Sequence, residues 1–247
     1  MFIRYIEPIG SDLHVPATTA LLEQHAPQGA RVEVRHLQLP PDLAGPMLPP
    51  IPLYLNELVQ EVLDAQQAGA DAVIVGCCSD PALQDLQRVA TIPVIGPLQA
   101  AGSIAASRGV RLGILFPDEH SWRVTENWVR RNLRAYGLAE VVGPIAFVPM
   151  DESGEGSLVG DTSASAEVVR ERFRRQLHGT AVGVARQVLA DDPAEAILFG
   201  CTLWGGMVCD VASEVDAICL DPVLTALHVA VAQASLHRLS TAAHVPG

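Results

Sequence analysis

The sequence contains no lysine: all 16 of its basic residues are arginine. Without a lysine amine, the protein cannot form the Schiff base of pyridoxal phosphate enzymes or supply the lysine of a phosphate-binding P-loop. The 247 residues include 28 acidic ones, which leave a formal net charge of −12. A surface of that sign disfavours nucleic acid and anionic membranes, because both bind clusters of cations. We therefore expect a small-molecule substrate and no nucleic-acid or membrane partner.

The chain has one dense group of basic residues, and acidic residues interrupt it. The arginines are Arg170, Arg172, Arg174 and Arg175, with Glu167 and Glu171 among them. A mixed group of this kind is typical of the solvent-facing side of a helix. It does not predict a phosphate site.

Long apolar runs and cysteine pairs are also missing. No run reaches the roughly 18 to 20 residues of a membrane-spanning helix, and the first residues lack the apolar segment of a signal peptide. We therefore expect a cytoplasmic protein with reduced thiols, since five cysteines are an odd number for a disulfide framework. No CxxC pair occurs, so the sequence predicts no metal site.

Helices and strands alternate along the chain. Apolar residues recur at helical spacing in segment 53–69, and the apolar run 72–75 follows it directly. A helix over 80–89 and a strand over 93–95 come next. Short, continuous apolar runs are typical of parallel strands buried on both faces, so the alternation predicts an α/β fold.

The same order occurs again in the second half. A helix is predicted over 166–190 with Ser165 as its N-cap, followed by a strand over 196–199, a short helix over 205–214 and a strand over 217–220. The strands over 72–75 and 196–199, with the residues that flank them, fit one template: an acid, alanine, three apolar residues, glycine and cysteine. The template ends at Cys77 in one half and at Cys201 in the other. The chain therefore contains an internal repeat.

The remaining segments complete two such units. Strands are predicted over 2–6, 31–37, 111–116 and 142–148, and helices over 121–136 and 223–240. Segment 151–165 is rich in Gly and Ser and predicts a mobile loop, and the proline-rich segment 40–52 predicts an extended connection or lid. We expect the last helix to return to the first domain. The domains would then be 1–98 plus 221–247 and 99–220.

Two cysteines at equivalent strand ends favour acid/base chemistry. Ligands of open α/β sheets lie beyond the carboxyl ends of the strands, where the N-terminus of the next helix favours an anion such as a thiolate. In two facing domains, Cys77 and Cys201 would lie on opposite sides of one cleft. One thiolate could remove a proton from a carbon while the opposing thiol protonates the other face. We predict that both are catalytic and need no cofactor.

The enolate formed in such a reaction needs hydrogen-bond donors at its oxygen. The predicted substrate-binding residues directly follow the cysteines: Cys78, Ser79, Thr202 and Leu203. Cys78 could equally be a redox-active vicinal thiol or a packing residue. Free cysteine also packs as a small apolar residue, and a two-lobed cleft also suits a non-catalytic binding protein.

At these residues the sequence resembles the aspartate/glutamate/hydantoin racemase superfamily, and is most similar to hydantoin racemases. The motifs are Gly-Cys-Cys-Ser-Asp-Pro at 76–81, Gly-Cys-Thr at 200–202 and Asp-Pro-Val at 221–223. The resemblance implies two similar α/β domains and a cofactor-independent reaction. It assigns Cys77 and Cys201 as the acid/base pair and implies a homo-oligomer.

The sequence departs from that family at three places. The first strand usually ends in a substrate-binding Asn-Pro-Asn motif, and here Glu7, Pro8 and Ile9 occupy it. The resemblance therefore places Pro8 and Ile9 among the substrate-binding residues, although an acid and an isoleucine suit a carboxylate poorly. Gln99 replaces a common glutamate, and Phe116 lies where a hydroxyl residue is expected. These changes favour a larger or less polar substrate, or a related decarboxylation or cis-trans isomerisation that uses a single cysteine.

Overall fold

The computed structural model describes residues 1–43, 45, 49–117, 122–149, 164–192 and 194–242. Within them, the strands form two sheets of four strands each, and all strand pairs are parallel. The first sheet contains β1 (Phe2–Glu7), β2 (Arg31–His36), β3 (Ala72–Val75) and β4 (Val94–Ile95). The second contains β5 (Leu112–Pro117), β6 (Val142–Val148), β7 (Ala196–Phe199) and β8 (Ile218–Leu220). The orders β2-β1-β3-β4 and β6-β5-β7-β8 are equivalent, so the two sheets repeat one topology.

Helices cover both faces of each sheet. Those of the first half are α1 (Val15–His25), α2 (Leu55–Gln67), α3 (Leu83–Val89) and α4 (Pro97–Arg108). The second half adds α5 (Trp122–Ala135), α6 (Ala166–Gln176), α7 (Val182–Asp191), α8 (Val208–Val211) and α9 (Pro222–Ala242). Every residue of β3 and β7 is buried, because apolar clusters lie on both sides of each sheet. The predicted α/β fold of two similar domains is confirmed.

The last helix packs on the first sheet. Ala226 and Ala230 of α9 share an apolar cluster with Ile3 of β1 and Ile74 of β3. This contact agrees with the expectation that the last helix returns to the first domain, and the bounds of 1–98 plus 221–247 and 99–220 stay a prediction. No helix in the described part of the chain is long and apolar enough to cross a membrane.

Most predicted elements match the structure, with differences at several helices. Ser165 caps α6 as predicted, because its Oγ accepts a hydrogen bond of 3.3 Å from the N–H of Val168. The helix predicted over 80–89 starts only at Leu83, since Asp80 and Ala82 have φ angles of +46° and +53°. The helix predicted over 205–214 is a single α-turn between 3-10 turns. Helices α1 and α4 were not predicted.

Two predicted loops lie partly or mainly outside the described residues. For the predicted mobile loop over 151–165, only residues 164 and 165 are described. For the proline-rich segment 40–52, the structure describes two 3-10 turns, at Pro41–Leu43 and Ile51–Leu53.

The group of four arginines does not lie wholly in solvent. Arg172 is only 7% exposed, whereas its three neighbours in the group are exposed. The reason is its place on α6, where Val169, Phe173 and Gln176 form the buried face at helical spacing. The prediction of a solvent-facing group is therefore wrong for Arg172.

Candidate active site

The two predicted cysteines occupy equivalent positions at the ends of β3 and β7. In each half, the glycine N–H donates to a carbonyl of the neighbouring strand, and the cysteine N–H donates to the residue two positions earlier. The bonds are Gly76 N to Ile6 O (2.8 Å), Gly200 N to Leu115 O (2.7 Å), Cys77 N to Val75 O (2.8 Å) and Cys201 N to Phe199 O (2.8 Å). The repeat in the sequence is therefore also a repeat in backbone geometry.

The glycine before each cysteine has a steric reason. A Cβ atom on Gly76 would collide with the ring of Tyr5, and one on Gly200 would lie 2.6 Å from the carbonyl oxygen of Leu115. A side chain at Gly200 would push the cysteine-bearing turn away from the backbone of the neighbouring strand, and one at Gly76 would displace the buried ring of Tyr5. The Gly-Cys pair is thus a requirement of the turn that positions the thiol.

Cys77 and Cys201 line the same cavity. Its empty volume is about 580 Å³, including the part that opens to solvent. Both cysteines are half-buried. The wall comprises Tyr5, Glu7, Pro8, Ile9, His14, Thr18, Gly76, Cys77, Cys201, Thr202 and Leu203. The structure therefore brings together both cysteines and four of the predicted substrate-binding residues, namely Pro8, Ile9, Thr202 and Leu203.

The other two predicted substrate-binding residues, Cys78 and Ser79, are not among the residues of this wall. Cys78 is 2% exposed and packs in an apolar cluster with Leu98 and Ile114. Burial raises the pKa of the Cys78 thiol well above its usual value, which favours its role as a packing residue. Ser79 is also buried, and its Oγ lies 3.0 Å from the Sγ of Cys77. The Ser79 hydroxyl therefore contacts the Cys77 thiol and is not part of the cavity wall.

A helix N-terminus was expected directly beyond each cysteine, and the structure does not show one. Six positions separate Cys77 from the start of α3, and Cys201 is followed by a 3-10 turn over Thr202–Trp204. The carboxylate of Asp80 instead accepts the N–H groups of Leu98 and Gln99 in the first turn of α4, at 3.0 and 2.8 Å. Asp80 is fully buried, which raises its pKa to about 7 although these bonds lower it.

Thr202 connects the two cysteine-bearing turns. Its Oγ1 donates a hydrogen bond of 3.2 Å to the carbonyl oxygen of Gly76, a residue 126 positions away in sequence. The bond joins the residue after one cysteine to the residue before the other. It therefore helps to fix the separation of the two thiols.

Replacing Thr202 by valine is expected to destabilise the protein by about 1 kcal/mol and to lower activity. The variant keeps the shape of the side chain but leaves the Gly76 carbonyl without this donor. Denaturant unfolding and steady-state kinetics measure the two effects. The control is Thr91→Val at an exposed position. Equal stability and activity of Thr202→Val and the control would show that the bond contributes nothing.

Five residues of the cavity wall are not among the predicted site residues: Tyr5, Glu7, His14, Thr18 and Gly76. Glu7 and Gly76 belong to motifs that the sequence analysis named, whereas Tyr5, His14 and Thr18 do not. Two of them depend on α1, whose apolar residues form only a weak stripe. The available signal was Pro16, because proline favours the first turn of a helix. Tyr5 lies in an apolar strand that gives no sign of which side chains face a cavity.

The side chains on the wall suit proton transfer. They include two thiols, a carboxyl group, an imidazole and a phenol, from Cys77, Cys201, Glu7, His14 and Tyr5. The described residues contain no group of three His, Cys, Asp or Glu side chains that could hold a metal ion. An acid and a base on opposite sides of one cavity can exchange protons with a bound carbon acid.

Known proteins share this architecture. A family model described as Asp/Glu/hydantoin racemase matches residues 3–233. The chain is 24% identical to a hydantoin racemase of Pseudomonas sp. strain NS671 over 220 residues, which cover 87% of this chain and 80% of that protein. Its structure is similar to that of allantoin racemase from Klebsiella pneumoniae, with a TM-score of 0.71, 18% identity, and coverage of 96% of this chain and 88% of that one. It is also similar to a mutant of arylmalonate decarboxylase, with a TM-score of 0.61, 18% identity, and coverage of 95% and 94%.

Proposed function

Because the chain belongs to the Asp/Glu/hydantoin racemase family and is an isomerase of the racemase type, we propose that Cys77 and Cys201 are its acid/base pair. The observation that supports this proposal is the shared cavity: matched Gly-Cys turns from two sheets each place a cysteine on its wall. The proposed substrate is a 5-substituted hydantoin or a related amino-acid derivative.

The proposed reaction moves one proton off the substrate and one proton onto it. The thiolate of one cysteine takes the proton from the ring carbon next to the carbonyl group, and the electron pair of that C–H bond moves into an enolate. The thiol of the other cysteine then delivers its proton to the opposite face of the same carbon. The product is the other enantiomer, and the two cysteines have exchanged protonation states.

The enolate oxygen needs donors, and the turn after Cys201 has two of them. Thr202 and Leu203 begin a 3-10 turn, and the first N–H groups of such a turn have no partner within it. Both residues also line the cavity. Their N–H groups are therefore our candidates for stabilising the enolate.

Single-enantiomer 5-isopropylhydantoin in deuterium oxide tests the proposed function. We expect the optical rotation to decay to zero as the two enantiomers reach equal amounts. The product enantiomer should carry one deuterium, because the thiol that protonates the substrate has exchanged its own proton with the solvent. Chiral chromatography and mass spectrometry measure both. An arylmalonate supplied in parallel tests for release of carbon dioxide. Unchanged hydantoin, or decarboxylation without racemisation, would contradict the proposal.

A further inference from the structure

Glu7 is a carboxyl group on the wall of the cysteine cavity. It is the last residue of β1, and only 6% of it is exposed. It lies beside Pro8 and Ile9, which also line the cavity and provide no charged group. Acidic residues are rarely buried to this extent unless they have a partner.

One oxygen of Glu7 has a partner, and the other does not. Oε1 accepts a hydrogen bond of 2.6 Å from Oγ1 of Thr18, which lies on the same wall. Oε2 is buried and has no hydrogen-bond partner among the described residues. Buried polar atoms are nearly always hydrogen-bonded in native proteins, so an exception on a cavity wall points to a ligand atom.

We propose that Glu7 determines substrate specificity by accepting a hydrogen bond from a ring N–H of the substrate to its Oε2. This inference rests on the proposed function of the cavity and narrows its substrate to neutral cyclic ureides and related N–H compounds. In the ionised form of Glu7 both oxygens can only accept hydrogen bonds, so the ligand must supply the donor. A hydantoin ring carries N–H groups on both sides of one carbonyl group and meets this requirement.

The charge of the wall favours the same class of substrate. The described residues of the wall include no arginine, and the chain has no lysine to replace it. A free amino-acid carboxylate would therefore meet the negative charge of Glu7 without a lysine or arginine to balance it. The wall selects against such substrates.

The protonation of Glu7 makes binding depend on pH. Burial raises the pKa of Glu7 to about 7 from its ordinary value of 4.5, although the hydrogen bond from Thr18 lowers it. The accepting, ionised form thus predominates above pH 7 and is lost below it, so affinity for an N–H donor falls as the pH falls. The other titratable groups around Glu7 are Tyr5, His14, Cys77 and Cys201 on the wall, and His36, its register partner on β2.

Binding of unsubstituted hydantoin tests the inference, because this compound has no stereocentre and can be studied with the active protein. Isothermal titration calorimetry compares it with 1-methylhydantoin, 3-methylhydantoin and the open-chain carboxylate hydantoic acid. We expect methylation of the recognised nitrogen to weaken binding to the wild type about tenfold or more, and hydantoic acid to bind weakly. In Glu7→Leu, methylation should change affinity less than about threefold.

The pH profile provides a second measurement. Wild-type affinity for hydantoin should fall about tenfold per pH unit below pH 7, the limit for a single required ionisation. In Glu7→Gln this dependence should disappear, since the amide keeps the size of the side chain but does not titrate. The matched control is Glu23→Gln at an exposed position of α1, which should behave as the wild type.

The results separate this inference from the proposed function. Racemisation with the same methylation effect in wild type and Glu7→Leu would overturn the inference alone, and so would an unchanged pH profile in Glu7→Gln. Glu7-dependent binding without racemisation of a 5-substituted hydantoin would overturn the proposed function alone. Absence of hydantoin binding at every pH would overturn the inference.

Discussion

Serine in place of Cys77 or Cys201 is expected to lower kcat/KM for racemisation by about 10³-fold. Acid/base groups contribute roughly 10² to 10⁴-fold to catalysis, and a serine hydroxyl is far less acidic than a thiol. Both variants should be equally impaired in racemisation, because each turnover uses one cysteine as base and the other as acid. Rates of racemisation from either enantiomer measure the effect.

The two variants should differ in proton exchange. A variant that keeps one thiol can still exchange the proton on the face of the substrate that this thiol contacts. We therefore expect Cys77→Ser and Cys201→Ser to exchange opposite enantiomers with deuterium oxide. The control is Cys209→Ser, because Cys209 is exposed and absent from the cavity wall. Full activity of either catalytic-site variant would refute the two-base mechanism.

Alanine in place of Gly200 is expected to destabilise the protein by about 2 to 4 kcal/mol. Its Cβ would lie 2.6 Å from the carbonyl oxygen of Leu115, and this carbonyl also accepts the Gly200 N–H at 2.7 Å. A backbone atom cannot move aside as a flexible side chain can, so β5 and β7 must separate. Overpacking costs about 1 to 3 kcal/mol, and the lost hydrogen bond adds about 1 kcal/mol. Denaturant unfolding measures the difference.

The matched control is Gly183→Ala in α7. No atom lies within 4 Å of the Cβ built on Gly183, so alanine should be neutral or stabilising by up to about 1 kcal/mol. The folded fraction of Gly200→Ala should also lose activity, because Cys201 follows directly. A Gly200→Ala variant as stable as this control would mean that the turn can relax without cost.

The predicted strands agree with the structure because strands that are buried on both faces have a clear apolar sequence. Residues 72–75 and 196–199 were identified as strands, and both are buried along their whole length. A parallel strand covered by helices on both faces needs apolar residues at every position, so its signal is local and continuous. The repeated Gly-Cys pair was also visible, since the same backbone turn imposes the same glycine twice.

The two helices that the sequence did not predict, α1 and α4, have weaker local signals. Helix α1 has only one fully buried residue, Leu22, and α4 presents small residues to neighbours on more than one side. The position of Arg172 likewise depends on which face of α6 meets the core. Side-chain placement of this kind is set by neighbours far away in sequence.

The sequence by itself determined the α/β architecture, its internal repeat and the two cysteines at equivalent strand ends, because each depends on short-range patterns. Only the tertiary structure decided which residues share a cavity. It places the Cys78 side chain in an apolar cluster and brings Thr202 within hydrogen-bond distance of the Gly76 carbonyl. It also buries Glu7 with one carboxylate oxygen lacking a hydrogen-bond partner among the described residues. The Thr202–Gly76 bond joins residues 126 positions apart, so it exists only after the two sheets have packed together. The burial of Cys78 and Glu7 likewise depends on contacts between different helices and strands, which short-range patterns do not encode.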